Sequence, residues 1–191
     1  MSALALAVAL SGCGDSGTGS KEPNSGTAAT GDTASGGNTT YRLGEASPPQ
    51  KQTMQKYKGS TFTVTPTKVK TGTKADLKAS GLQLDESDGS RVPVYVTVTL
   101  THNSGKSMAV GDLDDGLVVR TDKDERIRSL IVLVGQAKWP NCPPVDTEKQ
   151  LKAGQSASIC NVFLIPQGEK PAAVELTQGF TTAPLEWLVK G

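Results

Sequence analysis

The fold is decided by one alternating run of residues, Val92-Pro93-Val94-Tyr95-Val96-Thr97-Val98-Thr99-Leu100-Thr101-His102. Valine and leucine occupy every second position from 94 to 100, and tyrosine and threonine fill the positions between them. Side chains of a β-strand point alternately to the two faces of its sheet, and β-branched residues favour strands. The run therefore predicts a long strand with one apolar face, and Asn103-Ser104-Gly105-Lys106 has the chemistry of the turn that ends it.

Shorter segments with strand-like patterns lie on both sides of this run. They are Thr61–Lys70, Leu117–Arg120, Ile127–Val134, Ser156–Ile165, Ala172–Thr177 and Leu185–Val189. A single helix-like piece, Ala75–Ala79, is one or two turns long. About seven short strands separated by turn residues are typical of a sandwich of antiparallel sheets, so we expect an all-β domain over residues 60–191.

The N-terminus carries a short apolar run, Ala3–Leu10, followed at once by Ser11-Gly12-Cys13. The run is too short to span a bilayer, which requires about 20 apolar residues, but it has the length of a secretory signal core. The order Leu10-Ser11-Gly12-Cys13 resembles the lipobox of bacterial lipoproteins. That resemblance implies a signal peptide over residues 1–12, cleavage between Gly12 and Cys13, and a diacylglycerol group on the Cys13 sulfur. No basic residue precedes the apolar run, so we expect the natural start of the chain to lie upstream.

The segment after Cys13 predicts a tether. From Gly14 to Asn38 the chain contains almost only small and polar residues, and apart from Pro23 no apolar side chain larger than alanine. Such a segment cannot bury enough surface to offset the entropy lost on ordering. Residues 41–58 remain polar, so we expect a lipid-anchored disordered tether over residues 13–59, with a reach of about 150 Å when fully extended.

Three cysteines are an odd number for an exported protein. Lipidation of Cys13 leaves Cys142 and Cys160 as a candidate disulfide, which an extracytoplasmic location permits and which would contribute about 3 kcal/mol. A zinc site is disfavoured because the single histidine, His102, cannot complete four ligands with two cysteines. A redox pair would usually appear as Cys-x-x-Cys, and that motif is absent.

Four segments of the second half carry a further resemblance: Trp139-Pro140-Asn141-Cys142, Leu151-Lys152-Ala153-Gly154-Gln155, Cys160–Pro166 and Pro184-Leu185-Glu186-Trp187. They are similar to the immunoglobulin-like domains of secreted and lipid-anchored actinobacterial proteins, including the mycobacterial immunogenic extracellular protein family. The resemblance covers roughly Thr61 to Lys190. It implies an immunoglobulin-like antiparallel β-sandwich and export, and it transfers no catalytic residue to this chain.

Histidine chemistry offers two alternative functions. A hydrolase would have to use His102, but no Gly-x-Ser-x-Gly motif accompanies it, and we expect a strand-end histidine near solvent. A copper site would join His102 to Met108, although copper carriers usually supply several such ligands.

The acidic turn Gly111-Asp112-Leu113-Asp114-Asp115-Gly116 suggests calcium, but its spacing fails the EF-hand pattern, with Gly116 at position 5 and Lys123 at position 12. We expect a solvated turn. Trp139 is expected to pack against the Cys142–Cys160 disulfide, and Trp187 to lie in the core with Leu185 and Val189.

Composition narrows the function further. The formal net charge is +1, which gives no electrostatic reason to expect binding to nucleic acid or to anionic lipid headgroups. The sequence therefore predicts a lipoprotein on the outer face of a bacterial cell membrane, held by diacylglycerol on Cys13. It would act as a binding or interaction module for an envelope protein, a wall component or a small ligand. We expect no enzymatic activity, no cofactor and no metal; a calcium- or copper-binding protein and a hydrolase using His102 are the alternatives.

Overall fold

Two β-sheets face each other across an apolar core in the computed structural model, which describes residues 39–82, 90–113, 116–131, 137–177 and 182–190. Sheet B contains β2 (Gln50–Lys51), β3 (Thr61–Thr71), β4 (Arg91–Ser104) and β9 (Ser156–Pro166), in that order. Sheet A has the order β1-β11-β10-β6-β7 and consists of β1 (Thr40–Arg42), β6 (Leu117–Thr121), β7 (Arg126–Arg128), β10 (Pro171–Leu176) and β11 (Leu185–Leu188).

Smaller elements connect and cover these sheets. A two-stranded ladder joins β5 (Met108–Ala109) to β8 (Gln150–Leu151), and short 3-10 turns span Gln55–Tyr57 and Val110–Asp112. Helix α1 (Lys74–Ala79) begins with a capping box, in which the Thr73 hydroxyl and the Asp76 carboxylate each accept a backbone N–H. Among the described residues, no helix combines the length and the apolar character needed to cross a membrane.

The long alternating run behaves as its pattern predicts. Val94, Val96, Val98 and Leu100 are completely buried between the sheets, where they meet sheet A residues such as Trp187. Strand β3 pairs with β4 along nearly its whole length, and its register shifts next to Pro66, which cannot donate a backbone hydrogen bond.

The strand order confirms the predicted all-β sandwich. Strands β3-β4-β9 follow the A-B-E order of an immunoglobulin fold, and β7-β6-β10-β11 follow its C′-C-F-G order. The described residues contain eleven strands rather than about seven. The four strands that the sequence did not predict (β1, β2, β5 and β8) have only two or three residues each, which is too short for a visible pattern. One pairing, that of β1 with β11, is parallel.

The predicted boundary between tether and domain is wrong. Residues 39–59 belong to the domain, which forms one unit over residues 37–191. The Tyr41 ring lies 5.5 Å from the Trp187 ring, and the buried Ser47 donates its backbone N–H to the Val64 carbonyl at 2.9 Å. Short strands and isolated aromatic residues leave no periodic signal in the sequence, so this segment reads as linker. The expected signal peptide and the rest of the expected tether, residues 1–38, lie outside the described residues.

The predicted strand Ile127–Val134 is also corrected. Strand β7 covers only Arg126–Arg128, the Ile131 side chain is 89% exposed, and residues 132–136 lie outside the described part. The turn Asp122-Lys123-Asp124-Glu125 joins β6 to β7 and places Asp124 at φ 66°, a left-handed conformation that aspartate tolerates.

Candidate functional site

A groove of about 820 Å³ lies at one end of the sandwich, and we call it the loop groove. Strand β6 begins there at Leu117, β10 ends there at Leu176, and β7 ends there at Arg128. The described residues next to these strand ends, such as Gly116, Thr177 and Ile131, also line it. In immunoglobulin-like sandwiches, the corresponding connections cluster at one end and form binding surfaces.

The floor of the loop groove is apolar and its walls are polar. Phe62, Leu117 and Leu176 are buried core residues that also line the groove. The segment Gln50–Thr53 forms the wall on the side of sheet B, and the exposed Ile131 lies on the side of sheet A. An apolar floor with a few polar groups around it is the usual composition of a ligand site.

Two of the converging connections are joined by hydrogen bonds at Thr177. Its backbone N–H and its hydroxyl both donate to the Gly116 carbonyl, each at 3.0 Å. Gly116 has a φ of 96°, and a Cβ atom there would lie only 2.8 Å from the Thr177 hydroxyl. Glycine is therefore required at this close approach.

Asp112 binds the segment of residues 50–57, whose first four residues form the wall on the side of sheet B. Its carboxylate oxygen Oδ2 accepts hydrogen bonds from Lys56 Nζ at 2.7 Å and the Tyr57 hydroxyl at 2.9 Å. Its carbonyl accepts from Gln52 Nε2 at 2.9 Å. The hydrogen bond from Lys56 lowers the pKa of the Asp112 carboxyl, although partial burial opposes this shift. Asp112 is therefore ionised at neutral pH and already paired with a cation.

The acidic turn is only partly described. Asp114 and Asp115 lie outside the described residues, so the expectation of a solvated turn is not tested for them. Within the described ranges, no group of three or more His, Cys, Asp or Glu side chains is arranged to hold a metal ion.

A second cluster of charges lies on the outer face of sheet A, around a pocket of about 300 Å³. Glu175 is 1% exposed, and its carboxylate accepts from Arg120 Nε at 2.9 Å and from Arg126 Nε at 2.8 Å. Arg120 also donates to Glu186 and, at 3.2 Å, to Asp124. The hydrogen bond to Glu186 raises the pKa of the Arg120 guanidinium. These side chains satisfy one another and tie four strands together.

The expected exposure of His102 is wrong, because its side chain is completely buried. Its Nε2 lies 2.8 Å from the Ser104 carbonyl, and Nδ1 has no hydrogen-bond partner among the described residues. The inward position was available from the alternation, since residue 102 has the same parity as Val94 and Leu100. A substrate cannot contact this imidazole in the folded domain. Met108, the other candidate copper ligand, is also completely buried.

The disulfide and both tryptophans are placed as predicted. Cys142 and Cys160 are bonded, with Cα atoms 5.3 Å apart, on the outer face of sheet B. Trp139 packs there in a small second core with Tyr95, at a ring distance of 6.0 Å, whereas Trp187 is completely buried between the sheets. Burial is the main cause that raises the pKa of the Tyr95 hydroxyl. Unlike the inter-sheet disulfide of antibody domains, this one fastens a connection to an outer surface.

Reduction of this disulfide should lower the free energy of unfolding by about 3 kcal/mol, because the bond closes a loop of 18 residues in the unfolded chain. The measurement is urea unfolding with and without reductant. The double variant Cys142→Ala/Cys160→Ala is the control and should not respond to reductant. An equal urea midpoint for the oxidised and reduced native chains would contradict this prediction.

Two groups of site residues remain. The first was predicted but cannot be compared with the structure, and the second lines the groove but was not predicted. Cys13 and Gly12, the expected lipidation and cleavage positions, lie outside the described residues. Lys51 and Arg128, which line the loop groove, were not identified from the sequence. Lys51 fell within the expected tether, and Arg128 within an expected strand. Neither residue belongs to a recognisable sequence motif, so the sequence pattern did not identify it.

Comparisons with protein-family models, with curated proteins and with solved structures found no match to this chain.

Proposed function

We propose that this protein is an extracytoplasmic lipoprotein, anchored to the outer face of a bacterial membrane by diacylglycerol on Cys13, that binds an envelope ligand in the loop groove. The anchor rests on the lipobox-like sequence that ends at Cys13. Because residues 39–59 belong to the domain, the connecting segment ends by residue 38, and residues 13–38 can reach at most about 90 Å from the membrane. The longer tether expected from the sequence, residues 13–59, would have reached about 150 Å.

The observation that carries the binding proposal is the loop groove itself. It combines an apolar floor and polar walls, and the strand ends around it belong to two packed sheets. Binding residues are commonly carried on connections that a rigid scaffold positions. By contrast, the charges around Glu175 are already bonded to one another, so a ligand there would have to displace existing ion pairs.

The alternative functions have less support. A hydrolase using His102 would require the domain to open, because the imidazole is buried under the end of the sandwich. A copper site at His102 and Met108 meets the same obstacle. A calcium site would depend on residues 114 and 115, and their neighbour Asp112 is already neutralised by Lys56.

Site-specific photo-crosslinking in cells tests the proposal. A photo-reactive amino acid at Thr53, an exposed residue of the groove wall, should yield a discrete covalent adduct in the anchored protein. The same amino acid at Gln167, an exposed residue of the β9–β10 turn at the opposite end, is the matched control and should yield none. Equal adducts at both positions, or no adduct at Thr53, would refute binding in the groove.

A further inference from the structure

The edge strands of the two sheets differ in how far the chain itself covers them. An edge strand presents backbone N–H and C=O groups that no neighbouring strand pairs. Strand β9, at one edge of sheet B, is covered: the Leu130 N–H donates to the Val162 carbonyl at 2.7 Å, and Cys160 is bonded to Cys142. This edge is therefore closed over much of its length.

Two further edges offer little to a partner. At the edge of sheet A formed by β1, the Arg42 N–H donates to the carboxylate of Glu45 at 2.8 Å, so the chain satisfies that donor itself. Strand β2, at the second edge of sheet B, has only two residues, Gln50–Lys51. The edge that remains to be considered is β7, at the second edge of sheet A.

The register of β7 determines which of its backbone groups face outward. Opposed residues of an antiparallel ladder alternate between pairs that exchange hydrogen bonds and pairs that do not. The Thr121 N–H donates to the Glu125 carbonyl at 2.9 Å, so this is a bonded pair. Counting along the ladder, Ile127 is again at a bonded position, whereas Arg126 and Arg128 are at non-bonded positions. The backbone N–H and C=O groups of both arginines therefore point away from β6.

These outward backbone groups are open to the loop groove. Arg126 and Arg128 are both exposed, and both line the groove. Within the described ranges, no hydrogen bond outside the β6–β7 ladder reaches their backbone groups. Two donors and two acceptors, placed two residues apart along an edge, are the groups with which an extended peptide pairs when it adds a strand to a sheet.

A second copy of this chain is a poor partner for this edge. Antiparallel pairing of two β7 strands about Ile127 would place Arg126 of one copy opposite Arg128 of the other, on the outer face of the sheet. Like charges in directly opposed positions are destabilising. Ile127 itself is on the inner face and packs against the core, so an added strand needs an apolar side chain on that face.

We propose that the loop groove binds an extended polypeptide segment of another envelope protein, which adds to β7 as a new edge strand of sheet A. This inference rests on the proposed binding function and specifies its class of partner. The segment pairs its backbone with Arg126 and Arg128 and places an apolar side chain beside Ile127. Backbone hydrogen bonds supply affinity in this mode of binding, and alternate side chains supply specificity.

A displayed library of random peptides, selected for binding to the purified full chain, supplies a probe for this edge. Single N-methyl groups along a selected peptide should weaken binding about tenfold at alternate positions only, because every second amide faces β7. Bound peptide should also slow hydrogen exchange at the amides of Arg126 and Arg128. The amide of Ile127, which already bonds to β6, is the internal control and should change little.

Two substitutions at one position test the same edge from the side of the protein. Arg128→Pro removes the outward N–H and leaves the β6–β7 hydrogen bonds intact, and edge strands accept proline. Arg128→Gln is the matched control, because it removes the same charge and keeps the N–H. The proline variant should bind the selected peptides about tenfold more weakly than the glutamine variant, and the urea unfolding curves of the two should agree.

Strand addition is overturned if no peptide is selected, if N-methylation shows no alternation, or if the proline and glutamine variants bind alike. The alternation experiment modifies only the peptide, so its result does not depend on the folding of a variant. A discrete adduct at Thr53 in cells would then leave the proposed function standing with a ligand of another kind. Absence of that adduct would remove the proposed function itself.

Discussion

Truncation of Trp187 to alanine should lower the free energy of unfolding by about 4 kcal/mol, the largest effect expected for any single substitution here. The Trp187 side chain is completely buried in the core between the sheets. Its indole Nε1 donates to the Glu45 carbonyl at 2.8 Å, and its ring contacts Tyr41. The substitution therefore leaves a cavity and also releases the segment that begins the domain.

Urea unfolding and amide hydrogen exchange measure these two effects separately. Leu188→Ala is the matched control, because the neighbouring Leu188 points to the outer face and is 46% exposed. It should change the unfolding free energy by about 0.5 kcal/mol. In Trp187→Ala, the amides of Gly44 and Ser47, which donate to Pro66 and Val64, should lose protection. Equal losses of stability in the two variants would show that Trp187 does not hold the domain together.

Replacement of Glu175 by glutamine should lower the unfolding free energy by about 3 kcal/mol, because it removes a buried charge from two guanidinium partners. Arg120 lies directly opposite Arg126 on neighbouring strands, and Glu175 lies directly opposite Glu186. Like charges in such positions repel each other. The arrangement is stable because each glutamate faces a guanidinium diagonally, so the loss of the Glu175 charge exposes the repulsion between the arginines.

Glu125→Gln provides the control for the Glu175 prediction. Glu125 is an exposed residue of the β6–β7 turn, and its substitution removes the same charge with the same change in volume. We expect it to change the unfolding free energy by less than about 0.5 kcal/mol. If the Glu175→Gln protein were as stable as the control, the ion pairs on sheet A would make no net contribution to the free energy of unfolding.

The parts of the fold that were predictable are those with repeated local signals. The alternation of β4 and the apolar positions of β9, such as Phe163 and Ile165, determine which faces meet in the core. The first strand was not predictable, because Thr40–Arg42 is held by its parallel pairing with β11, which is more than 140 residues away in sequence. A three-residue strand carries no periodicity, and only tertiary contacts stabilise it.

The candidate site was less predictable than the fold for a related reason. Its residues come from separate strand ends that converge only after folding, as Lys51 and Arg128 show. The buried position of His102 was readable from the parity of its strand. The disulfide between Cys142 and Cys160 followed from counting cysteines once Cys13 was assigned to a lipid. The expected membrane location and the expected disulfide therefore both depend on the lipidation of Cys13.

The central proposal is that diacylglycerol on Cys13 anchors the domain to the membrane. Mass spectrometry of the protein recovered from the membrane fraction tests it most directly. We expect an N-terminal peptide that begins at Cys13 and carries diacylglycerol, with no peptide from residues 1–12. The disulfide-linked peptides of Cys142 and Cys160 serve as an internal control and should carry no lipid. The Cys13→Ser protein should lack the lipidated peptide. Recovery of an unmodified chain that still contains residues upstream of Cys13, such as a Met1 or Ser2 terminus, would contradict the account.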